Sequence, residues 1–491
     1  MEATTTDGWF QVTVAVVLFV LDFAVRVFAL IYVPRNRRPQ TAMAWLLAIF
    51  FIPYFGLLLF LLLGSSKLPK GRRTKQAEIN QYILDGTEGM EDVTRDPPWP
   101  TWLEPITQLN RNLGAMPLVG DNAGKLFPDY NESLDAMTEA VRAAKRYVHA
   151  EFYILSFDKT TTPFFDAMED AVARGVDVRV LIDHIASVRS VGHLATARKL
   201  TRIGVKWHYM LPIQPWRGKF QRPDLRNHRK LLVIDGIVAF TGSQNFIDSS
   251  YNKRGNIRRG LHWKDLMVRF EGPIVAGIDA LFATDWYSET NELLLRETEP
   301  VRRARRKEPI DAQVVPSGPG FEGENNLRLF NSLVYAATKQ VIITSPYFVP
   351  DGSMMYAITT AAQSGVDVQL FASEVGDQFV VFHAQRSYYE ELLRAGVRIF
   401  LYPSPTVLHA KYFTIDDEVG VVGSSNMDMR SFALDLEISV MVRGKSFIDD
   451  LHALQDQQRA LSREVALDEW MSRSRVSATF DNIARLAATL Q

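Results

Sequence analysis

The sequence predicts an α/β protein made of two homologous halves that form one active site, preceded by a pair of membrane-spanning helices. Three observations predict it. An order of helices and short apolar strands occurs twice along the chain, one polar motif recurs in both copies with the same offsets, and the first 66 residues hold two long apolar runs. The 491 residues exceed one ordinary domain of ~100–200 residues, so two similar domains plus extra segments fit the length.

The apolar runs come first. Residues 9–33 and 41–63 are each long enough to cross a hydrocarbon core of ~30 Å as a helix. The start MEATTTDG is acidic where a cleaved signal peptide carries positive charge, so a transmembrane hairpin is the better reading. Asp22 and Arg26 lie four residues apart within the first run, a spacing that lets them share a helix face and neutralise each other. The connecting loop carries Arg35, Arg37 and Arg38, and the segment after the second run carries Lys67, Lys70, Arg72, Arg73 and Lys75. Five charges against three lean towards a cytoplasmic placement of the catalytic portion. From 67 to 115 the chain is basic, then acidic, then interrupted by Pro97, Pro98 and Pro100, and reads as a linker.

The repeat occupies the rest of the chain, with a first half at 116–305 and a second at 306–491. In the first, LDAMTEAVRAAKR is helical, YVHAEFYIL strand-like, a helix ends at Gly175, and VDVRVLID is a strand. In the second, LFNSLVYAATKQ, VIITSPYFV, a helix ending at Gly365 and VDVQLFA recur in that order. This alternation predicts a sheet covered by helices on both faces in each half. The first half adds a loop over 211–227 with three prolines and Trp216, a length that serves lids and binding surfaces as often as plain surface insertions.

The chemistry is expected from the recurring motif. His228 is followed by Lys230, Asp235, Gly242, Ser243 and Asn245; His409 is followed at the same offsets by Lys411, Asp416, Gly423, Ser424 and Asn426. On a strand, residues two apart face the same way, so each His and Lys point together. Lysine supplies a point charge for a phosphate oxygen, and the Gly-Ser pair and Asn are expected to approach the same phosphate. One neutral imidazole can attack phosphorus while the other, protonated, donates to the departing alcohol. Each imidazole needs an acceptor on its other nitrogen, for which Asp265 and Glu437 are the candidates. Asp235 and Asp416 belong to the signature, although their position before hairpin turns points to holding the turn. Tyr153, Tyr347, Phe348 and Asp351 sit at strand ends, where core packing is favoured over a pocket rim.

Composition removes other classes. With no cysteine, thiol nucleophiles and cysteine-bound metals are excluded. The balance of 55 basic and 56 acidic residues argues against nucleic acid as partner. The remaining histidines show no metal-ligand spacing, and no P-loop or dinucleotide fingerprint appears, so neither metal nor cofactor is expected.

The paired H-x-K-(four residues)-D signature resembles that of the phospholipase D superfamily. AEFYI, NHRKLLVIDG, QVVPSGP, SPYFVPD, LHAKYFTIDD, GSSNMDMRSF and the double apolar N-terminus resemble its bacterial cardiolipin synthase branch over nearly the whole chain. The resemblance implies phospholipase D-type α/β-sandwich halves and a cell-membrane enzyme. Its implied reaction joins two phosphatidylglycerol molecules into cardiolipin and glycerol through a phosphohistidine, with His228 as nucleophile and His409 as acid. Hydrolysis to phosphatidic acid, phosphatidylethanolamine as donor, and a non-catalytic lipid-binding scaffold are the alternatives. The sequence departs from the family at GSQN, where relatives have two glycines, and in its final stretch, RLAATLQ.

Overall fold

The computed structural model describes residues 3–35, 37, 39–65, 67–88, 99–217, 221–294, 308–321 and 323–486. They divide into two units, Met1–Lys67 and Leu68–Gln491.

The first unit holds three helices: α1 (Ala3–Tyr32), α2 (Pro39–Phe51) and α3 (Pro53–Leu63). One stretch of α1, Trp9–Tyr32, is long and apolar enough to cross a membrane. Within it Arg26 Nε meets Asp22 at 2.9 Å, the neutralising pair expected from their spacing. The second expected span requires correction. It is two shorter apolar helices that break at Ile52, because Pro53 has no N–H to continue the ladder and instead starts a new helix.

The second unit includes part of what was expected to be linker. Helices Lys70–Gly86 and Leu103–Gly114 cover much of that segment, and Leu103 and Ile106 are buried in the core. Residues 89–98, with their acidic and proline-rich run, and the boundary between halves near 305 lie outside the described residues.

Each half contributes seven principal strands. In the first half they are β1 (Leu118–Phe127), β2 (Tyr147–Phe152), β3 (Asp177–Asp183), β4 (Lys206–Met210), β5 (Lys230–Ile234), β6 (Val238–Gly242) and β7 (Met267–Glu271). In the second they are β8 (Ile310–Ser317), β9 (Gln340–Thr344), β10 (Asp367–Ser373), β11 (Arg398–Tyr402), β12 (Tyr412–Ile415), β13 (Val419–Gly423) and β14 (Asp435–Arg443). The expectation of one sheet per half is met with an addition: the sheets join edge to edge. The order is β11-β10-β9-β12-β13-β14-β8-β1-β7-β6-β5-β2-β3-β4, which reads alike from both ends about the antiparallel β8–β1 pair.

Strand alternation divides the core. Leu232 and Ile234 of β5 face helices Tyr130–Arg142 and Thr162–Ala173. Leu231 and Val233 face a central core with Ile278 and Phe282, and that core also takes Ile342, Phe371 and Ile438 from the second half. The halves thus share apolar interior as well as a sheet.

Candidate active site

The register of two short parallel pairings places both histidines. Arg226–Asn227 runs parallel to residues 435–436, with Asn227 opposite Leu436, and His228 N–H then donates to Leu436 O at 2.9 Å. The next residue on the facing chain is Glu437, whose Oε1 lies 2.9 Å from His228 Nδ1. In the same way Thr406–Leu408 runs parallel to His262–Lys264, and His409 N–H donates to Lys264 O at 2.8 Å. Asp265 comes next, and its Oδ1 lies 2.7 Å from His409 Nδ1. Each imidazole is therefore oriented by a carboxylate from the other half. With Nδ1 so engaged, Nε2 is the nitrogen that faces the reaction, as general acid and base histidines require; on His409 it lies 3.1 Å from Lys411 Nζ.

The other motif residues surround these pairs. Lys230 Nζ donates to His228 O at 2.5 Å and Lys411 Nζ to His409 O at 2.8 Å, so each lysine folds back beside its own histidine. The serine hydroxyls, expected at a phosphate, are engaged with the carboxylates: Ser243 donates to Asp265 at 2.7 Å, and Ser424 to Glu437. Asn245 donates to Tyr251 Oη at 2.8 Å and accepts from Ile154 N–H, which ties loops together. Asn426 is buried, and its N–H donates to Ser431 Oγ at 3.1 Å. The glycines serve sheet packing: a Cβ at Gly242 would collide with Leu266 O and one at Gly423 with Ile438 O, both on the neighbouring strand.

Asp235 and Asp416 stand away from this cluster, which corrects their inclusion among catalytic residues. They lie past the far ends of β5 and β12, and a five-residue strand spans ~17 Å. Asp235 accepts from the N–H groups of Lys145, Arg146 and Tyr147; Asp416 accepts from those of Thr338, Lys339 and Gln340. Both have positive φ, at 54° and 50°, and open the hairpin turns that follow β5 and β12. They fix where β2 and β9 begin.

Burial dominates the electrostatics. It pushes Lys230 down to about 7 and Lys411 down to about 8. Burial, and then the charge of Lys230, hold His228 well below the ordinary imidazole value; His409 is lowered by burial and Lys411 against the pull of Asp265. The carboxylates diverge. Burial raises Glu437 to about 7, whereas at Asp265 the same burial is outweighed by His409, with Lys411 and Ser243 adding to it, leaving the group below the ordinary range. The two carboxyl groups beside the histidines thus shift in opposite directions.

Several contributors escaped the sequence reading. Ser431 gives Glu437 a second hydroxyl, on Oε1 at 2.8 Å, and nothing in its spacing announces this. Arg229, fully buried, donates to Glu437 O at 3.1 Å and pairs with Asp285. The Tyr153 ring stands edge-on to His228 at 4.9 Å and that of Tyr347 edge-on to His409 at 6.2 Å, so these two line the histidines. Their place at strand ends was the available signal. Phe348 is core, and Asp351 caps helix Gly352–Gln363 through Met354 N–H. Of the 211–227 loop, residues 218–220 lie outside the described residues.

The mirrored halves and crossed histidine–carboxylate pairs define a two-motif phospholipase D-like protein. A family model described as "Cardiolipin synthase, PLD-like domain" matches residues 137–286 and 331–458, and one described as "Phospholipase_D-nuclease N-terminal" matches residues 24–65. The chain belongs to the cardiolipin synthase family of phospholipase D-like proteins. It is 32% identical over 447 residues to cardiolipin synthase A of Proteus mirabilis (strain HI4320), covering 89% of this chain and 90% of that one. It is 31% identical over 471 residues to cardiolipin synthase A of Pseudomonas syringae pv. syringae (strain B728a), covering 92% and 93%. A solved phosphatidylserine synthase from Haemophilus influenzae Rd KW20 shares the fold, with TM-score 0.59 at 13% identity over 79% of this chain and 98% of that one.

Proposed function

We propose that the protein is a phosphatidyltransferase that joins two phosphatidylglycerol molecules into cardiolipin and releases glycerol. The observation that carries this is the crossed pairing, in which two imidazoles are held by carboxylates of opposite halves within one buried cluster. Neutral His228 attacks phosphorus through Nε2, and the imidazolium of His409 protonates the departing glycerol oxygen, leaving a phosphohistidine on His228. A hydroxyl of the second phosphatidylglycerol then gives its proton to His409 and attacks phosphorus, forming the new diester and restoring His228. His228 is held well below the ordinary imidazole value, whereas the fall of His409 is opposed by Asp265, and this difference supports the division of roles. Lys230 and Lys411 neutralise the non-bridging oxygens. One diester replaces another, so the exchange needs no activated donor. Membrane attachment through α1 brings the enzyme to its lipid substrates.

Mass spectrometry of the products formed from phosphatidylglycerol alone by the detergent-solubilised protein tests the reading. Cardiolipin plus glycerol from the wild type, and neither from His228→Ala or His409→Ala, is the expected outcome. Phosphatidic acid in place of cardiolipin would make the protein a hydrolase, and turnover by either single mutant would remove the shared site.

A further inference from the structure

The break at Ile52 does more than shorten a helix, since α3 folds back along α2. The rings of Trp45 and Phe60 meet edge-on at 5.6 Å although fifteen positions separate them. Gly56 sits so close to α2 that a Cβ there would lie 2.6 Å from Ala48 O and 2.8 Å from Ile49 Cα. The two ends of this pair are tied together. Arg37, just before α2, donates through Nε to Gly64 O, just after α3, at 3.2 Å, and its guanidinium lies 4.7 Å from the Phe60 ring centroid. The same guanidinium donates to Val33 O at 2.8 Å, at the carboxyl end of α1. Further along, Arg26 of α1 lies over the ring of Phe50, so the pair runs back beside α1.

We infer that the first unit crosses the bilayer once, through α1, and that α2 and α3 form a re-entrant hairpin which dips into one leaflet and returns to the side it left. This rests on the membrane attachment proposed above and is independent of the reaction. Length supports it: helices of 13 and 11 residues reach ~20 and ~16 Å, short of the ~30 Å hydrocarbon thickness. Surface chemistry supports it as well. At the tip Phe51, Ile52, Tyr54 and Phe55 are exposed, and Met43, Leu47, Leu58 and Leu61 are exposed along the flanks, a surface that acyl chains fit and water does not. At the tip Ile52 N–H donates to Ala48 O at 3.0 Å, Ile52 O accepts from Gly56 N–H at 2.7 Å, and Pro53 has no N–H to satisfy, which lowers the cost of placing this bend in hydrocarbon.

The charge pattern becomes coherent on this topology. As two spans, the flanking charges divide three against five and barely set an orientation. With a re-entrant hairpin, Arg35, Arg37, Lys67, Lys70, Arg72, Arg73 and Lys75 emerge on one side, and Asp7 stays on the other. The positive-inside rule then places the second unit in the cytoplasm and the N-terminus outside.

The chain has no cysteine, so single cysteines report topology without background. Asp7→Cys, Arg35→Cys and Lys445→Cys would each be treated with a membrane-impermeant maleimide in intact and in permeabilised cells. Each variant would first be checked for wild-type product formation and for resistance to carbonate extraction. The inference expects Asp7→Cys to label in intact cells, and Arg35→Cys and Lys445→Cys to label only after permeabilisation. Arg35→Cys labelling in intact cells while Asp7→Cys and Lys445→Cys stay protected would restore two full spans and overturn it. Release of the wild-type chain by carbonate would overturn it by a different route, by removing the membrane attachment itself.

Discussion

Glu437 and Asp265 occupy matching places, yet burial raises one to about 7 while His409 holds the other below the ordinary carboxylate range. An imidazolium gains more from an anion than from a neutral carboxyl group, so the two acids contribute unequally. Asp265→Asn is expected to lower kcat by about 10²–10⁴-fold, and Glu437→Gln by distinctly less, in steady-state assays of cardiolipin formation. Equal losses would contradict the division of roles. The pH profile is set by the same shifts. His228 is well below the ordinary imidazole value, so it stays neutral and nucleophilic into mildly acid solution and the acid limb of kcat/KM falls below that range. On the alkaline side His409, lowered from the ordinary imidazole value, loses first the proton it must donate, and Lys230 and Lys411 follow through about 7 and about 8, so kcat/KM declines there. A profile still rising at pH 9 would show that neither lysine needs its charge. Asp416 gives a contrasting case. Asp416→Asn replaces one oxygen of a carboxylate that accepts from three N–H groups and the Thr338 hydroxyl, and should cost about 1–3 kcal/mol of stability, visible as a lower Tm, while kcat per folded molecule stays near wild type. Because the folded pKa of Asp416 is depressed, its contribution is present above the ordinary carboxylate range and is lost as pH falls through the depressed value.

The strands and their helices were legible because each half repeats a strong alternation, and the histidine motif was legible because its offsets recur. The crossing was not. Spacing along one chain says that Asp265 and Glu437 come after their motifs, but which half each acid serves depends on the parallel pairing of 226–227 with 435–436 and of 406–408 with 262–264, segments of two or three residues without a pattern of their own. The reading of Gly242 and Gly423 missed for a related reason: what excludes a side chain there is a carbonyl on an adjacent strand, which local sequence does not display. Gly423→Ala therefore forces strands apart and should destabilise by about 1–3 kcal/mol, the usual cost of overpacking, with a fall in Tm in thermal denaturation. An unchanged Tm would place the glycine's role at the substrate. The apolar run 41–63 misled because hydropathy counts residues and cannot see a chain reverse at Ile52; Pro53 was the available mark.

One sheet runs through both halves of the second unit, and the central core draws Leu231 and Val233 from one side and Ile342 and Phe371 from the other. Such sharing makes the halves one cooperative body. Leu231→Ala, a change in the first half, should shift a single denaturant transition reported alike by probes in either half, rather than melting one half ahead of the other. Two separate transitions would divide the unit. A chain carrying one half alone could assemble two crossed pairs only by meeting its own copy across a twofold axis, where both acids are the same residue. Fusion ends that dependence on concentration and on identity. Once the copies lie in one chain, a substitution in one is no longer imposed on the other, and Asp265 can keep an aspartate while Glu437 becomes a glutamate. One imidazole beside a carboxyl group held below its ordinary range and one beside a carboxyl group raised to about 7 is an asymmetry that no symmetric ancestor could hold.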